Sequence, residues 1–248
     1  MPLDLKILLT NDDDSAFARA YPDDGQKVAT LLRALRPGWR CEVIDLPAGQ
    51  RLASLDGVDG VVVTGSPASV NDERLPWLAH LLQALRDLAE RRTPTVGLCF
   101  GHQAFAKALG GRVDVHTGGW GLGLGLTHWH SPAPWMSPPG DRTWLMAAHR
   151  EQVTLMPPGA RGLGSSEVCP VASMAVGDHV FTTQFHPEMT RPFMADLLRD
   201  LEGEVPAETL ERAHRSLADQ RESSALFAQW MVRFLERDFA GADDRSTR

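Results

Sequence analysis

Two periodicities alternate in the N-terminal part of the chain, and this alternation constrains its fold more than any other feature. Short apolar runs at Lys6–Leu9 (KILL), Cys41–Leu46 (CEVIDL) and Gly60–Val63 (GVVV) stop at polar or turn-forming residues and read as strands. Between and after them come helical stripes. Gln26–Leu35 puts Val28, Leu31, Leu32 and Leu35 on one face, and Trp77–Leu88 does the same with Leu78, Leu81, Leu82, Leu85 and Leu88. A further strand follows at Thr95–Leu98 (TVGL). Apolar strands separated by amphipathic helices bury their surface best in a mostly parallel sheet covered by helices on both faces, so a flavodoxin-like α/β fold is expected. Such sheets gather ligands beyond the carboxyl ends of their strands, which is where Cys99 stands.

The C-terminal half changes character. Apolar runs at Gly123–Thr127, Val153–Met156, Val171–Val176 and His179–Phe185 predict more strands, several antiparallel, with an additional small antiparallel sheet. From Phe193 to Phe239 the pattern is helical, and Ala225–Leu235 (ALFAQWMVRFL) is apolar enough to dock on the sheet. No internal repeat or long linker interrupts the chain, only short Pro/Gly punctuation such as Ser131–Gly140. Residues 1–248 are therefore expected to form one domain, with an α/β core over 1–192 and a helical tail over 193–248 packed on it. The net charge of −7 argues against nucleic-acid or anionic-membrane partners, which need basic surface. Three cysteines without a CxxC pair speak against a disulfide framework or thiolate zinc site, and no apolar stretch suits a leader or a membrane span. A reducing cytoplasm is the expectation.

The chemistry concentrates in Thr95–Gly111 (TVGLCFGHQAFAKALGG), an apolar strand, a tight turn carrying the cysteine, and an Ala-rich helix. A side chain held on so sharp a turn needs small neighbours, here Gly97 and Gly101. Unpaired N–H groups at the helix start favour an anionic side chain, which for cysteine is the reactive thiolate. Cys41 and Cys169, in or beside strand patterns, read as small buried apolar residues. A partner base is found at the end of the run TTQFHPEM, where proline holds His186 and Glu188 in a defined relation. An imidazole can take the thiol proton and pass it to a leaving amine while a carboxylate fixes its tautomer, so Cys99, His186 and Glu188 are the expected triad.

The pair GLCFGHQ and QFHPE resembles the class I, triad-type glutamine amidotransferase family, and the resemblance runs from the first strand to residue 188. It implies attack by Cys99 on the side-chain amide of glutamine, or of a γ-glutamyl amide, and release of ammonia or amine from a glutamyl thioester. Val63–Val70 (VTGSPASV) resembles the family's oxyanion loop, which assigns the oxyanion donors to the N–H of Gly65 or Ser66 and that of Phe100. The resemblance also gives Gln103, Gly119 and Trp120, the last two in Gly118–Gly123 (GGWGLG), as substrate-binding residues. His149 matches a family position within His-x-Asp-x-Val, but Glu151 and Gln152 stand in the middle of that motif here.

GSP in place of GGP, with the long tail, is similar to free-standing members described as GMP-synthase-like. This leaves three activities open: glutaminase, γ-glutamyl peptidase, and a subunit that works only with an acceptor synthetase. The implied partners are glutamine or a γ-glutamyl small molecule and that synthetase. No cofactor is expected, since neither GxxxxGK[ST] nor GxGxxG occurs. His128 and His130 in THWH lack a third ligand of suitable spacing, so no metal is expected either.

Overall fold

The computed structural model describes residues 2–115, 119–219 and 221–239. Its N-terminal elements are β1 (Asp4–Leu9), α1 (Asp24–Leu35), β2 (Arg40–Asp45), β3 (Gly60–Val63), α2 (Leu78–Glu90), β4 (Thr95–Leu98) and α3 (Phe100–Ala108). Seven strands follow: β5 (Arg112–Val115), β6 (Gly121–Trp129), β7 (Arg142–His149), β8 (Glu151–Leu155), β9 (Ala160–Ser165), β10 (Ser173–Val176) and β11 (Val180–Thr183). The chain ends in α4 (Arg191–Asp200), α5 (Ala207–Ser216) and α6 (Ser224–Leu235).

One sheet runs through the molecule in the order β2-β1-β3-β4-β11-β10-β9-β6-β7, and β5 with β8 forms a separate two-stranded ribbon. The pairs from β2 to β11 are parallel and those from β11 to β7 antiparallel. The alternation read in the sequence is thus the parallel half. The small antiparallel sheet is the β5–β8 ribbon, while most of the antiparallel strands extend the main sheet itself.

Side chains alternate across the parallel strands as a sheet buried on both faces requires. Leu5 and Ile7 join Val28, Leu32, Phe227 and Phe234 in one layer, while Leu8, Val61 and Val63 join Leu81, Leu85, Phe100 and Phe105 in the other. The apolar stretch of α6 docks as its composition predicts: Phe227, Trp230 and Phe234 are fully buried, each stabilising by roughly 1.5–3 kcal/mol. Asp23 caps α1 by accepting from Gln26 N–H at 2.7 Å, and Thr190 caps α4 through Phe193 N–H. The helical tail expected from Phe193 onward consists of three helices. It is interrupted before Pro206, which cannot donate to a helix interior, and again at residues 217–223.

Strands β5, β7 and β9 have weak local signals. β9 (ARGLGS) carries two glycines, poor strand formers, yet a Cβ on Gly164 would come 2.9 Å from His128 O of the neighbouring β6. Close approach to the next strand selects glycine there. At Gly125 of β6 it is the Phe185 ring that leaves no room, at 2.3 Å from where a Cβ would lie. Among the described residues no helix is long and apolar enough to cross a membrane.

The turn around Cys99 depends on its two glycines. A Cβ on Gly101 would lie 2.6 Å from Val63 O, and one on Gly97 2.8 Å from the Gly101 carbonyl. Backbone is what each would strike. Gly101→Ala is accordingly expected to destabilise the fold by about 1–3 kcal/mol, seen as a lower urea midpoint with unchanged slope; an unchanged midpoint would show that α3 can shift freely off β3.

Candidate active site

Cys99 sits between the last residue of β4 and the first of α3, with φ +47° and ψ −100°. A non-glycine residue pays strain to hold that conformation, and such strain persists where the surroundings over-determine it. Here they do. Cys99 N–H donates to Thr183 O at 2.9 Å, Gly101 N–H to Thr64 O at 3.1 Å and Gln103 N–H to Cys99 O at 3.1 Å. These bonds join the turn to β11, to the loop after β3 and to its own helix. Cys99 itself is 4% exposed.

His186 follows β11, where its N–H donates to Met146 O of β7 at 2.8 Å. Its Nδ1 is 2.7 Å from Glu188 Oε1, and both residues are buried. A carboxylate acceptor there places the proton on Nδ1, leaving Nε2 as the free basic nitrogen; Nε2 is buried and has no hydrogen-bond partner among the described residues. A Cβ built on Gly65 would lie 2.7 Å from His186 Cε1 and 3.5 Å from Cys99 Cβ, so cysteine and imidazole converge on the space that glycine leaves open. Burial alone would push the His186 imidazole down. The negative charge of Cys99 and of Glu188 outweighs it and holds the ring well above its ordinary value.

The loop after β3 is pinned from below. Thr10 Oγ1 lies 3.0 Å from Gly65 O and 3.1 Å from Thr64 O, and Thr10 N–H donates to Thr64 Oγ1 at 3.0 Å. With the Gly65 carbonyl turned to Thr10, the N–H groups of Gly65, Ser66 and Phe100 are left without acceptors among the described residues.

Gln103 is buried within α3. Its Nε2 donates to Glu151 O at 2.7 Å and lies 3.2 Å from Gln184 Oε1. The amide nitrogen is therefore occupied by the protein, and Oε1 has no hydrogen-bond partner among the described residues. Gln184 Nε2 in turn donates to Cys99 Sγ at 3.4 Å. Sequence reasoning assigned no role to Gln184, although it opens the QFHPE run, in the bend between β11 and His186. Glu151, at the acidic position of the His149 motif, takes Ser69 Oγ at 2.8 and 2.9 Å on its two carboxylate oxygens. Gly119, at φ +80°, and Trp120 are half-buried; Gly118 lies outside the described residues.

These parts open into one cavity of about 770 Å³, lined among others by Gly65, Ser66, Cys99, Gln103, Trp120, His149, Glu151 and His186. The turn carrying Cys99 contributes to its lining, and its walls come from widely separated segments. His128 near the end of β6 and His130 just after it are not among the cavity's lining, and His130 Nε2 lies 2.6 Å from Ser165 Oγ. Burial pushes the Cys169 thiol up to about 12, in keeping with an inert apolar role.

Two histidines here are held neutral. Burial pushes His102 down to about 4, against its Nε2 contact with Val171 O at 3.0 Å, and burial together with nearby His186 pushes His149 down to about 3. Below about pH 6.5 the unfolded chain takes up protons that these native rings refuse, so stability falls as pH drops from there towards 4. For His102 the loss is on the order of 3 kcal/mol over that window. A urea midpoint that falls steeply between pH 6.5 and 4, with a shallower fall in His102→Gln, is expected; identical curves would exclude His102 as the cause.

A family model described as "Glutamine amidotransferase class-I" matches residues 25–200. The chain is 29% identical over 150 residues to Gamma-glutamyl peptidase 3 of Arabidopsis thaliana, covering 58% of this chain and 60% of that one. It is 32% identical over 184 residues to a GMP synthase [glutamine-hydrolyzing] of Herminiimonas arsenicoxydans, covering 68% of this chain and 32% of the synthase. The chain thus spans less than two thirds of these relatives' own lengths. Among solved structures it resembles a glutamine amidotransferase from Thermotoga maritima, with a TM-score of 0.74 at 21% identity over 95% of this chain and 99% of that one. One from Methylobacillus flagellatus gives the same TM-score at 22% identity over 95% and 93%. At these identities the structures speak for the fold.

Proposed function

The chain belongs to the class-I glutamine amidotransferase family, and from that premise we propose that it is a cysteine hydrolase of γ-glutamyl amides. Cys99, His186 and Glu188 form its catalytic triad. The observation that carries this reading is the convergence at Gly65: thiol carbon and imidazole meet across one glycine, and the imidazole's other nitrogen is fixed by a buried carboxylate. The thiolate attacks the side-chain carbonyl carbon of the substrate. The oxyanion formed there meets the free N–H groups of Phe100 and of Gly65 or Ser66, each worth roughly 2.7–4 kcal/mol to a transition state. The proton held on His186 passes to the departing nitrogen, the carbon–nitrogen bond breaks, and a glutamyl thioester remains. Water then adds to the thioester, giving glutamate and the free thiol.

Gln103, Gly119 and Trp120 are the proposed holders of the glutamyl group. Gln103 acts through its free Oε1 and by fixing Glu151, because its nitrogen is already engaged. The breadth of the cavity supports γ-glutamyl compounds with a sizeable leaving group over glutamine, since about 770 Å³ lies within the range of pockets that hold drug-sized ligands. A second reading, in which ammonia from glutamine is handed to a partner synthetase, is favoured by the GMP synthase relative, whose aligned part is 32% of its own chain.

The test is labelling by a diazo-ketone analogue of glutamine, read by mass spectrometry, beside assays of ammonia and amine release. Labelling is expected on Cys99, slowed by excess glutamine or γ-glutamyl dipeptide. Labelling of Cys41 instead, or labelling that neither compound slows, with no release from either, would sink the proposal. Release from glutamine alone, rising when a synthetase co-purified from the native host is added, would decide for the second reading.

A further inference from the structure

One wall of the cavity beside Cys99 has no work to do for a glutamyl group. It is built by Phe17 and Tyr21, in the segment between β1 and α1, with Phe193, Leu197 and Leu201 at and after the start of α4. The three rings touch one another, with centroids 5.3 Å apart for Phe17 and Tyr21, 5.4 Å for Phe17 and Phe193, and 4.9 Å for Tyr21 and Phe193. Both Phe17 and Tyr21 are only half-buried.

Four polar residues of this part of the cavity, Asn11, Tyr21, Asp24 and Lys27, are already engaged. Tyr21 Oη donates to Asp196. The Lys27 ammonium lies 3.9 Å over the Phe193 ring and 2.8 Å from Asp24, which also accepts from Asn11 Nδ2 at 2.8 Å. What the wall itself presents to an occupant is aromatic and aliphatic surface, with Arg19, Gln26 and Glu204 elsewhere on the lining. A glutamyl group ends in an ammonium and a carboxylate, and either one against this wall would be stripped of water without a partner. Ammonia as leaving group is too small to touch it. The remaining portion of a substrate seated at Cys99 is the amine side of the bond that breaks.

We infer that the amine released from Cys99 is apolar: the substrate is the γ-glutamyl amide of an amino acid with an aromatic or branched aliphatic side chain, which packs on Phe17, Tyr21 and Phe193. This rests on the γ-glutamyl hydrolase reading above and names its substrate class. The bond broken joins the γ-carbonyl carbon to the amino acid's nitrogen. That nitrogen leaves with the proton from His186, and water completes the turnover, so no further reactant is needed.

The experiment compares kcat/KM for γ-Glu-Phe, γ-Glu-Leu, γ-Glu-Gly and glutamine with the wild-type chain. Filling an apolar pocket is worth at least about tenfold per well-packed group, so γ-Glu-Phe and γ-Glu-Leu are expected to exceed γ-Glu-Gly by tenfold or more. In Phe17→Ser, and independently in Tyr21→Ser, the ratio of γ-Glu-Phe to γ-Glu-Gly is expected to fall towards one. Equal efficiency for all three dipeptides overturns the inference and leaves the hydrolase reading standing, as does a preference for γ-Glu-Phe that neither variant alters. Turnover of none of the four compounds overturns both. A variant that fails to fold is recognised by circular dichroism, and the wild-type series decides without it.

Discussion

Cys99→Ala is expected to lower kcat for any γ-glutamyl substrate by about 10⁴–10⁶-fold while leaving KM or Kd within a few-fold. Without the sulfur no thioester forms, and what remains is the pull of the Phe100 and Gly65 or Ser66 N–H groups on a carbonyl attacked directly by water. The fold should tolerate the change. Alanine meets the same strain at φ +47° that cysteine meets, and the sulfur's loss leaves unmade the Gln184 amide contact and a long contact to Ala148 O. Single-turnover assays with the wild type beside the variant, plus a urea midpoint for each, check both halves. A loss smaller than a hundredfold with an intact fold would remove Cys99 from the chemistry.

The second large effect is placed at Glu188. Glu188→Gln keeps the shape of the side chain that lies 2.7 Å from His186 Nδ1 but removes its charge. Two consequences follow. The amide can present its nitrogen to the ring as readily as its oxygen, so the tautomer with a free Nε2 is no longer enforced, and kcat is expected to fall by about 10³–10⁴-fold. Burial, which alone pushes this imidazole down, is then opposed by Cys99 only. The protonated ring becomes harder to form. Activity that is lost as pH rises through the His186 value should therefore be lost at lower pH in the variant, and the alkaline limb of kcat/KM moves toward acid. A variant with near wild-type kcat and an unmoved limb would show that Glu188 is a packing residue.

The parallel half of the sheet was legible in the sequence because each strand is continuous, apolar and bounded by turns, and each helix shows its stripe. The antiparallel half was legible only in part. β7 and β9 owe their strand state to pairing with β6 and β10, and their own residues, the glycines of β9 above all, prefer other states. Cys99, His186 and Glu188 could be read because glycine and proline mark the turns that carry them. Gln184 and Ser69 could not be read in the same way. Their importance lies in contacts to Cys99 and Glu151 across the fold, and no local pattern marks such a contact. Phe17 and Tyr21 were invisible for the same reason, standing in a segment whose sequence looks like an acidic loop.

The strand carrying Cys99 and the strand leading to His186 are direct neighbours, β4 beside β11, yet everything from α3 to β10 lies between them in the chain. All of that chain must be gathered into a loop and built outward as the other half of the sheet before β11 can close against β4. Contacts so distant in sequence form slowly. Joining Cys99 to His186 is then a late event in folding: on dilution from denaturant, helical circular dichroism should recover before activity does, and the interval between them measures how long Cys99 waits for His186.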